Sequence, residues 1–556
     1  MTLRGWMLWV RGVASRLRVG RALGLLIILI LILGSWLPMS AAWAADAIFE
    51  VVSIPNTGRS VAARMADFDG DERVDLMVVA VEGMPPSEQR LVRVFLQRED
   101  GSLPTTPSHT VALPVWTGVY DLADVAAWPG VEMVLLRHDG VSLLSLADGA
   151  GKLLELPVGA SGSIATSEDE RGFEAFKLVY YDFGPEPWIL VPQFGRLLAL
   201  SVDGSIEASL DVGRRSNYYV VPRTGLISAE SDIQLFIDVP KVSVGDVDGD
   251  GRIDIVSSTR HEIRVFLRRE DGSFASTSDR SIPLGLVTRR DHIRGSGGVA
   301  CEFRDFNADG KLDLLITHVE GSVTNATTTT YVFVNRDGQW DLDAPDGTFT
   351  STDALASNVL VDIDRDGALE LLRIKIKFSL LEFIELLLTQ EVDAEIAIHR
   401  QSPDASFAEV PLLKRKFGIP FSFETFRATG FVPTISADLN RDGHVDLLTS
   451  GSGDQVEVFL GGGDSPFSRR NARQKMSTAG VIEFADFDGD GLTDFVLFDP
   501  HNFDVPVQLA INTGVLGKGV PSIRSRDASS PPPEADPDRI DSQADGTESS
   551  ESLPAE

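Results

Sequence analysis

Six short segments of the chain carry oxygen-bearing side chains at the same four positions, and these are the residues whose types and spacing indicate chemistry. Counted from the first aspartate of each segment, positions 1, 3, 5 and 9 are Asp, Asn or Glu in all six. The segments are DFDGDERVD from Asp67, DVDGDGRID from Asp246, DFNADGKLD from Asp305, DIDRDGALE from Asp362, DLNRDGHVD from Asp438 and DFDGDGLTD from Asp486. Position 6 is Gly in five segments, whereas the first has Glu72 there and Gly70 two residues earlier.

Calcium accounts for this spacing. Ca²⁺ takes about 6–8 oxygen ligands at about 2.3–2.6 Å, and a short loop that curls around one ion presents alternate side chains inward. Position 7 varies freely, which fits a main-chain carbonyl ligand, and Gly at position 6 permits the sharp turn. Mg²⁺ fits less well because it keeps its waters. The predicted ligands are Asp67, Asp69, Asp71, Arg73 and Asp75; Asp246, Asp248, Asp250, Arg252 and Asp254; Asp305, Asn307, Asp309, Lys311 and Asp313; Asp362, Asp364, Asp366, Ala368 and Glu370; Asp438, Asn440, Asp442, His444 and Asp446; and Asp486, Asp488, Asp490, Leu492 and Asp494.

Two other interpretations of these segments are less favoured. A single D-x-D-G turn is often only a solvated hairpin, but six segments with the same four positions filled argue against that. An EF-hand needs Glu at position 12 and flanking helices. Position 12 here is never acidic, and most of the segments lead directly into an apolar strand pattern such as DLMVVAV or DFVLF.

The elements that must position these loops repeat with them. A second strand pattern comes after each loop, for example VRVFLQ from Val92 and VEVFLGG from Val456. Loop starts at Asp246, Asp305 and Asp362 are 59 and 57 residues apart, and the last two starts are separated by 48. A unit of that length with about four strands is typical of a propeller blade.

Two decayed repeats fill the 179 residues between the first two loops. One lies around Asp124 and the other around Asp182, and each keeps its strands but lacks most ligands. Trp128 and Trp188 stand among the loop positions, so we expect aromatic packing there and no bound metal. The sequence therefore predicts an all-β fold, a β-propeller of about eight blades, with seven as the alternative, and calcium loops in six of them.

This pattern resembles the FG-GAP/VCBS-type repeats, whose best-known fold is the propeller of the integrin alpha subunit. The resemblance covers roughly residues 46–515 and is carried by D-x-[DN]-x-D-G-x-x-[DE] followed by an apolar strand and a V-x-V-F-L strand. It implies a propeller with a calcium loop between strands of each metal-binding blade. Two units lack intact loops and no integrin stalk is present, so the resemblance extends to fold and metal chemistry and not to integrin function.

The two ends of the chain differ from the repeats. Residues 1–44 combine five arginines, an apolar run and a small-x-small motif at Ala42 to Ala44, which predicts a cleaved signal peptide. The alternative is an uncleaved anchor. Residues 45–517 form the predicted propeller, and residues 518–556 are rich in Pro, Ser, Asp and Glu, which predicts a disordered acidic tail. Export to the periplasm, the cell surface or the medium is expected, and Cys301, the only cysteine, cannot form an internal disulfide.

One unit is longer than the others. Its extra residues include KFSLLEFIELLLTQEVDAEIAIHR, in which Leu380–Gln390 is predicted to be a short apolar helix capped by Ser379. The helix is expected to cover an edge of its own blade, and the alternative is a contact with a partner or a membrane.

Charge and motifs limit the function. A formal net charge of -32 argues against nucleic-acid binding. The sequence contains no H-E-x-x-H, nucleophile elbow or phosphate loop. We therefore favour a non-catalytic binding or scaffold module for a protein or glycan partner. The alternative is a polysaccharide-active enzyme, a lyase or hydrolase, that uses a funnel at the propeller axis. A membrane is expected as a partner only through an uncleaved signal anchor.

Overall fold

The computed structural model describes residues 47–517, apart from 85–86, 115, 139, 158–172, 214–215, 223–230, 238, 289–296, 322–325, 353, 378–379, 403–404, 424–426, 452–453 and 463–465. The predicted signal peptide and the predicted acidic tail lie outside these residues. Within the described ranges, no helix combines the length and the apolar character that a membrane crossing requires.

Eight antiparallel sheets of four main strands succeed one another along the chain, which confirms the predicted eight-bladed propeller. The first described strand, β1 (Phe49–Ile54), belongs to the last blade. Blade 1 contains β2 (Arg59–Ala66), β3 (Asp75–Glu82), β4 (Gln89–Phe95) and β5 (His109–Ala112). Blade 2 contains β6 (Val119–Ala123), β7 (Glu132–Leu136), β8 (Gly140–Ser145) and β9 (Leu153–Pro157), with a short β10 (Glu174–Ala175) beside β6.

The next three blades have the same strand order. Blade 3 contains β11 (Val179–Tyr180), β12 (Trp188–Gln193), β13 (Arg196–Leu200) and β14 (Ile206–Leu210). A separate two-stranded hairpin, β15 (Ser216–Pro222) and β16 (Ser231–Ile237), comes before blade 4. Blade 4 contains β17 (Lys241–Gly245), β18 (Asp254–Ser258), β19 (Glu262–Phe266) and β20 (Arg280–Pro283). Blade 5 contains β21 (Gly298–Arg304), β22 (Asp313–Glu320), β23 (Thr327–Phe333) and β24 (Gly347–Thr352).

The last three blades include the long unit and the closure of the ring. Blade 6 contains β25 (Ala354–Val361), β26 (Glu370–Lys377), β27 (Glu391–His399), β28 (Leu413–Ser422) and β29 (Arg427–Ala428). Blade 7 contains β30 (Thr434–Ala437), β31 (Asp446–Gly451), β32 (Gln455–Phe459) and β33 (Ala472–Lys475). Blade 8 contains β34 (Val481–Ala485), β35 (Asp494–Phe498) and β36 (Val507–Asn512), and β1 pairs antiparallel with β36 from Phe49↔Asn512 to Ile54↔Val507. The start and the end of the propeller therefore share one blade.

The hydrophobic core consists of separate apolar clusters between neighbouring blades. Among the described residues, eight apolar clusters occur, and each joins two neighbouring blades, including one that joins blade 8 to blade 1 through Phe487 and Leu76. The second strand of a blade is largely apolar because both of its faces pack on neighbours; β18 and β35 are buried at every residue. Outer strands such as β33 alternate between half-buried and exposed residues. This arrangement explains why continuous apolar runs come after the loops.

The long unit contains the predicted helix. Helix α1 (Leu380–Thr389) lies between β26 and β27 and contacts β27 of its own blade. Its end is joined to β28 through the Phe421 N–H, which donates to the Gln390 carbonyl at 2.8 Å. Leu387 is 52% exposed. The side chains of Phe383 and Leu388 lie outside the described residues, so the contact of this apolar face with its own blade stays a prediction.

Candidate metal centres

All six aspartate-rich loops occupy the same place in their blades. Each connects the first strand to the second, and position 9 is the first residue of the second strand, as in Asp75 of β3 and Glu370 of β26. The residue at position 2 is apolar and buried in all six. It enters the apolar cluster between its own blade and a neighbouring one, as Phe306 does between blades 5 and 6. This anchor is visible in the sequence as an apolar residue after every first aspartate, but its role was not predicted from the spacing.

The backbone of each loop folds around its first carboxylate. One oxygen of position 1 accepts a hydrogen bond from the N–H of position 6 in all six loops, at 2.8 Å from Glu72 in the first and 3.1 Å from Gly367 in the fourth. The carboxylate at position 5 accepts from the N–H of position 7 in all six, at 2.8–2.9 Å. These hydrogen bonds hold the loop in its curled shape without a bound ion.

The curled loops gather carboxylates closely enough to share a cation. Oxygens of three residues lie within 4.8 Å of one another in four loops; the sets are Asp67, Asp69 and Asp71; Asp246, Asp248 and Asp250; Asp362, Asp364 and Asp366; and Asp486, Asp488 and Asp494. In the remaining two loops position 3 is Asn307 or Asn440, so the amide oxygen completes the set of donor positions.

Burial and repulsion between carboxylates raise the pKa of the position-3 aspartate in three of these sets. The pKa of Asp69 is raised above its usual value by desolvation and by repulsion from Asp71 and Asp67. One carboxylate oxygen of Asp69, Asp362 and Asp364 is buried without a hydrogen-bond partner. Buried, unpartnered anionic oxygens that face one another fit a hard divalent cation. Positions 1, 3 and 5 could hold such an ion.

Position 9 has a second role that spacing alone did not reveal. Its carboxylate is buried in every loop, and one oxygen accepts from the N–H of position 2 at 2.7–3.2 Å. In five loops the other oxygen accepts an N–H from a residue at or just beyond the end of the third strand, such as Asn335 at 2.7 Å from Asp313. Burial raises the pKa of Asp313 to about 7 and that of Asp75 to about 6. Position 9 therefore ties each loop to its own blade, and its place among the metal ligands stays a prediction.

Backbone conformation explains the glycines of the loops. Positions 4 and 6 both have positive φ in all six, including non-glycine residues such as Glu72 at +67° and Arg365 at +58°. An L-residue in this left-handed region is strained by roughly 1–2 kcal/mol. The need for glycine was predicted from the sequence at position 6 and missed at position 4, although three of the six loops have glycine there.

Replacing Glu72 by glycine should stabilise the protein. The substitution removes the strain of a positive φ at an exposed site, so we expect Glu72→Gly to raise the free energy of unfolding by roughly 0.5–1 kcal/mol, less than the full strain because glycine also loses more backbone entropy. The matched control is Gly310→Ala, because Gly310 has φ of +85° and nothing lies within 4 Å of an added Cβ. It should lower stability by about 1 kcal/mol, and unfolding in urea measures both. If Glu72→Gly and Gly310→Ala changed the free energy of unfolding by equal amounts in the same direction, strain at positive φ could not be the cause.

Neighbouring loops are joined around the ring. A side chain at or just beyond the end of the third strand of one blade donates to the position-2 carbonyl in the loop of the preceding blade. The donors and acceptors are Gln97 to Phe487 at 2.6 Å, Arg268 to Phe183 at 2.6 Å, Asn335 to Val247 at 2.8 Å, Gln401 to Phe306 at 2.7 Å and Asn512 to Leu439 at 2.7 Å. The four intact loops in this set are therefore held by their own blade through position 9 and by the next blade through position 2, whereas the decayed loop of blade 3 has Leu190 at position 9 and only the bond from the next blade.

The two decayed loops have aromatic side chains among their loop positions, and the loop of blade 2 also keeps the position-9 hydrogen bond. In blade 2, Glu132 occupies position 9 and accepts the Val125 N–H at 2.9 Å, which repeats the bond of the six intact loops. Lys152 places its Nζ 4.2 Å from the centre of the Trp128 ring. In blade 3, Phe183 and Trp188 stack with ring centres 4.5 Å apart. The predicted aromatic packing is present, and the expectation that these loops bind no metal stays a prediction.

The axial side of the ring is partly filled. First strands of neighbouring blades contact one another, as β2 contacts β34 and β17 contacts β21, so they line the axis. The short strand β10 pairs in parallel with β6 on the edge opposite β7, which places it on the axial side of blade 2. Just before it, Phe173 stacks on Tyr120 at 4.6 Å. Arg64 of β2 forms an ion pair of 2.7 Å with Glu483 of β34.

Comparison with known proteins supports the repeat assignment. A family model described as an FG-GAP-like repeat matches residues 246–316, 305–372 and 438–497, which include five of the six loops. The loop at Asp67, which lacks Gly at position 6, is outside these matches. No curated protein matches the chain.

A search of solved structures also returned matches to the chain. One is an Agrocybe aegerita lectin, described as specifically recognising non-reducing terminal N-acetylglucosamine. The two sequences are 12% identical, and the TM-score is 0.33. The match covers 84% of this chain and 96% of the lectin chain. The match to the family model and the sheet topology alone show that residues 246–372 and 438–497 are FG-GAP-like repeats within an eight-bladed β-propeller.

Proposed function

We propose that the protein is an exported, calcium-stabilised β-propeller that binds a protein or glycan partner without catalysing a reaction on it. Calcium is supported by the preformed carboxylate sets and by the unpartnered oxygens within them. Export is supported by the pattern of residues 1–44, and it matters because extracellular calcium is abundant enough to fill sites of modest affinity.

A groove between blades 3 and 4 carries the binding proposal. It has a volume of about 620 Å³ and lies where the β12–β13 turn meets the outer part of blade 4. The residues that line it include Phe194, Arg196, Asp211, Arg264 and Ser276. Arg264 is fixed by donating to the main-chain carbonyl of Asp211 at 2.9 Å. A ring, an acceptor and several donors in one shallow groove match the mixed apolar and hydroxylated surface of a saccharide.

Screening the purified protein against glycan and protein arrays tests the proposal. We expect calcium-dependent binding, because chelation would loosen the loops that hold the blades. We expect Arg264→Ala to abolish binding of a glycan ligand, whereas Arg269→Ala is the matched control. Arg269 also lies in blade 4 and also pairs with an aspartate, Asp279, at 3.2 Å.

The outcomes of the screen separate the parts of the proposal. Binding that survives Arg264→Ala would place the site elsewhere on the propeller. No binding to any array, with and without calcium, would overturn the binding function. New reducing ends or unsaturated products from a bound polysaccharide would replace this function with the enzymatic alternative.

A further inference from the structure

Two outer strands of neighbouring blades form a basic surface on a strongly acidic protein. Residues 413–422, which are β28 of blade 6, contain three Lys or Arg and no Asp or Glu. Residues 468–476, which include β33 of blade 7, contain four Lys or Arg and no Asp or Glu. We call this surface the basic rim; its cations are Lys414, Arg415, Lys416, Arg469, Arg470, Arg473 and Lys475.

The two halves of the basic rim form one continuous surface. Both terminal nitrogens of Arg415 in blade 6 donate to the Ser468 carbonyl in blade 7, each at 3.1 Å. The Arg415 guanidinium also lies 4.8 Å from the centre of the Phe459 ring. The segments that carry the charges therefore touch across the blade boundary.

Nearby carboxylates neutralise only part of the basic rim. Lys414 pairs with Glu395 at 3.1 Å, Lys416 with Asp393 at 2.8 Å and Arg473 with Glu457 at 3.0 Å. Within the part of the chain that the structure describes, no carboxylate forms an ion pair with Arg469, Arg470 or Lys475. All three of these side chains belong to exposed residues. An excess of positive charge is thus left at the surface, and it favours an anionic partner.

The chain itself contains a segment with the complementary charge. Residues 527–556 include nine Asp or Glu and a single Lys or Arg, Arg539. The described chain ends at Gly517 just after blade 8, next to the blade that carries half of the basic rim. The 39 residues beyond Gly517 could span up to roughly 130 Å when extended, which is ample for a propeller. A tethered segment also acts at a local concentration on the order of millimolar.

We propose that residues 527–556 bind the basic rim of the same molecule. Contact between carboxylates and the cations of blades 6 and 7 then shields this surface from other polyanions, such as an acidic polysaccharide. The attraction is between solvated charges, so it weakens as salt shortens the Debye length from about 10 Å at 0.1 M to about 3 Å at 1 M. This contact is independent of the glycan or protein bound in the groove of blades 3 and 4.

Zero-length carbodiimide cross-linking of the full-length protein tests the contact directly. At low salt we expect tail carboxylates to be joined within one molecule to Lys414, Lys416 or Lys475, as identified by mass spectrometry, and these products should disappear at about 1 M NaCl. Cross-links from the tail to lysines outside the basic rim in equal yield, or no tail cross-links at low salt, would overturn the proposal.

Affinity for heparin, a polyanion, measures independently whether residues 527–556 cover the basic rim or leave it open to an external polyanion. Deleting residues 520–556 should expose the basic rim and raise the salt concentration at which the protein elutes from a heparin column. Lys416→Gln/Arg470→Gln/Lys475→Gln should cancel that increase, whereas Arg269→Gln/Arg336→Gln, which removes exposed cations from blades 4 and 5, should leave it. Equal retention of the full and shortened chains on heparin would contradict a tail contact and indicate a rim open to an external polyanion. No retention of the shortened chain would show that the rim does not attract polyanions.

Discussion

Removing calcium should lower the melting temperature by roughly 8 °C. A ligand that binds only the folded state stabilises it by RT ln(1 + [L]/Kd), which is about 1.4 kcal/mol per site at tenfold excess and roughly 8 kcal/mol for six independent sites. The entropy of unfolding of a propeller of this size is on the order of 1 kcal/mol per kelvin. Dividing the lost stability by this entropy gives the expected shift in melting temperature. The reason for so large an effect is that each loop holds three or more oxygen donors that repel one another without a cation.

Calorimetric melting with calcium, with EDTA and with EDTA followed by excess calcium measures this effect. Recovery on adding calcium back distinguishes metal loss from irreversible damage, and magnesium in place of calcium tests the choice of ion. In the competing account, packing of the apolar strands supplies the stability of the fold, and ions bound at the turns add little to it. An EDTA-treated sample that melts within a degree or two of the calcium-loaded sample would support that account.

The second large effect should come from a carboxylate that acts with or without metal. Asp313→Ala leaves the buried N–H groups of Phe306 and Asn335 without their acceptor. An unsatisfied buried donor costs about 1–3 kcal/mol, so for the two donors we expect a loss of about 2–6 kcal/mol in the presence of EDTA. In calcium the loss should be at least as large.

Asp309→Ala in the same loop is the matched control for position 9. Asp309 is exposed to solvent and accepts only local bonds from its own loop, including the Lys311 N–H at 2.9 Å. Its removal should cost about 1.4 kcal/mol in calcium at tenfold excess, since one site is lost, and much less in EDTA. Denaturant unfolding of Asp313→Ala and Asp309→Ala, each in calcium and in EDTA, measures the four losses in the free energy of unfolding. If Asp313→Ala were neutral in EDTA, the structural role of position 9 would be wrong.

The repeats could be predicted because their physical signal is periodic. Alternate oxygen ligands, a turn glycine and an apolar strand recur together, so the all-β class, the eight blades and the place of Leu380–Thr389 as a helix were predictable and are confirmed. The decayed repeats at Asp124 and Asp182 were recognised by their strands, and the aromatic contacts in their loops agree with that assignment.

Features that depend on contacts distant in sequence were not predicted. The hairpin β15–β16 and the parallel strand β10 lie in the gap between repeats, where no periodic pattern marks them. The bond from Asn512 to Leu439 joins residues 73 positions apart, and a lone Asn at a strand end gives no sign of it. The carboxylate at position 9 has a structural role, and its spacing is the same as the spacing expected of a metal ligand. Hydrogen bonds such as those of Glu132 and Asp313 were therefore needed to reveal that role.

Isothermal titration of the metal-free protein with Ca²⁺ tests the central claim, that the aspartate-rich loops are calcium sites, most directly. We expect six sites per chain, one for each loop that begins at Asp67, Asp246, Asp305, Asp362, Asp438 or Asp486, and five sites in a variant that replaces the position-1 aspartate of one loop by alanine. Fewer than three sites per chain would contradict the claim.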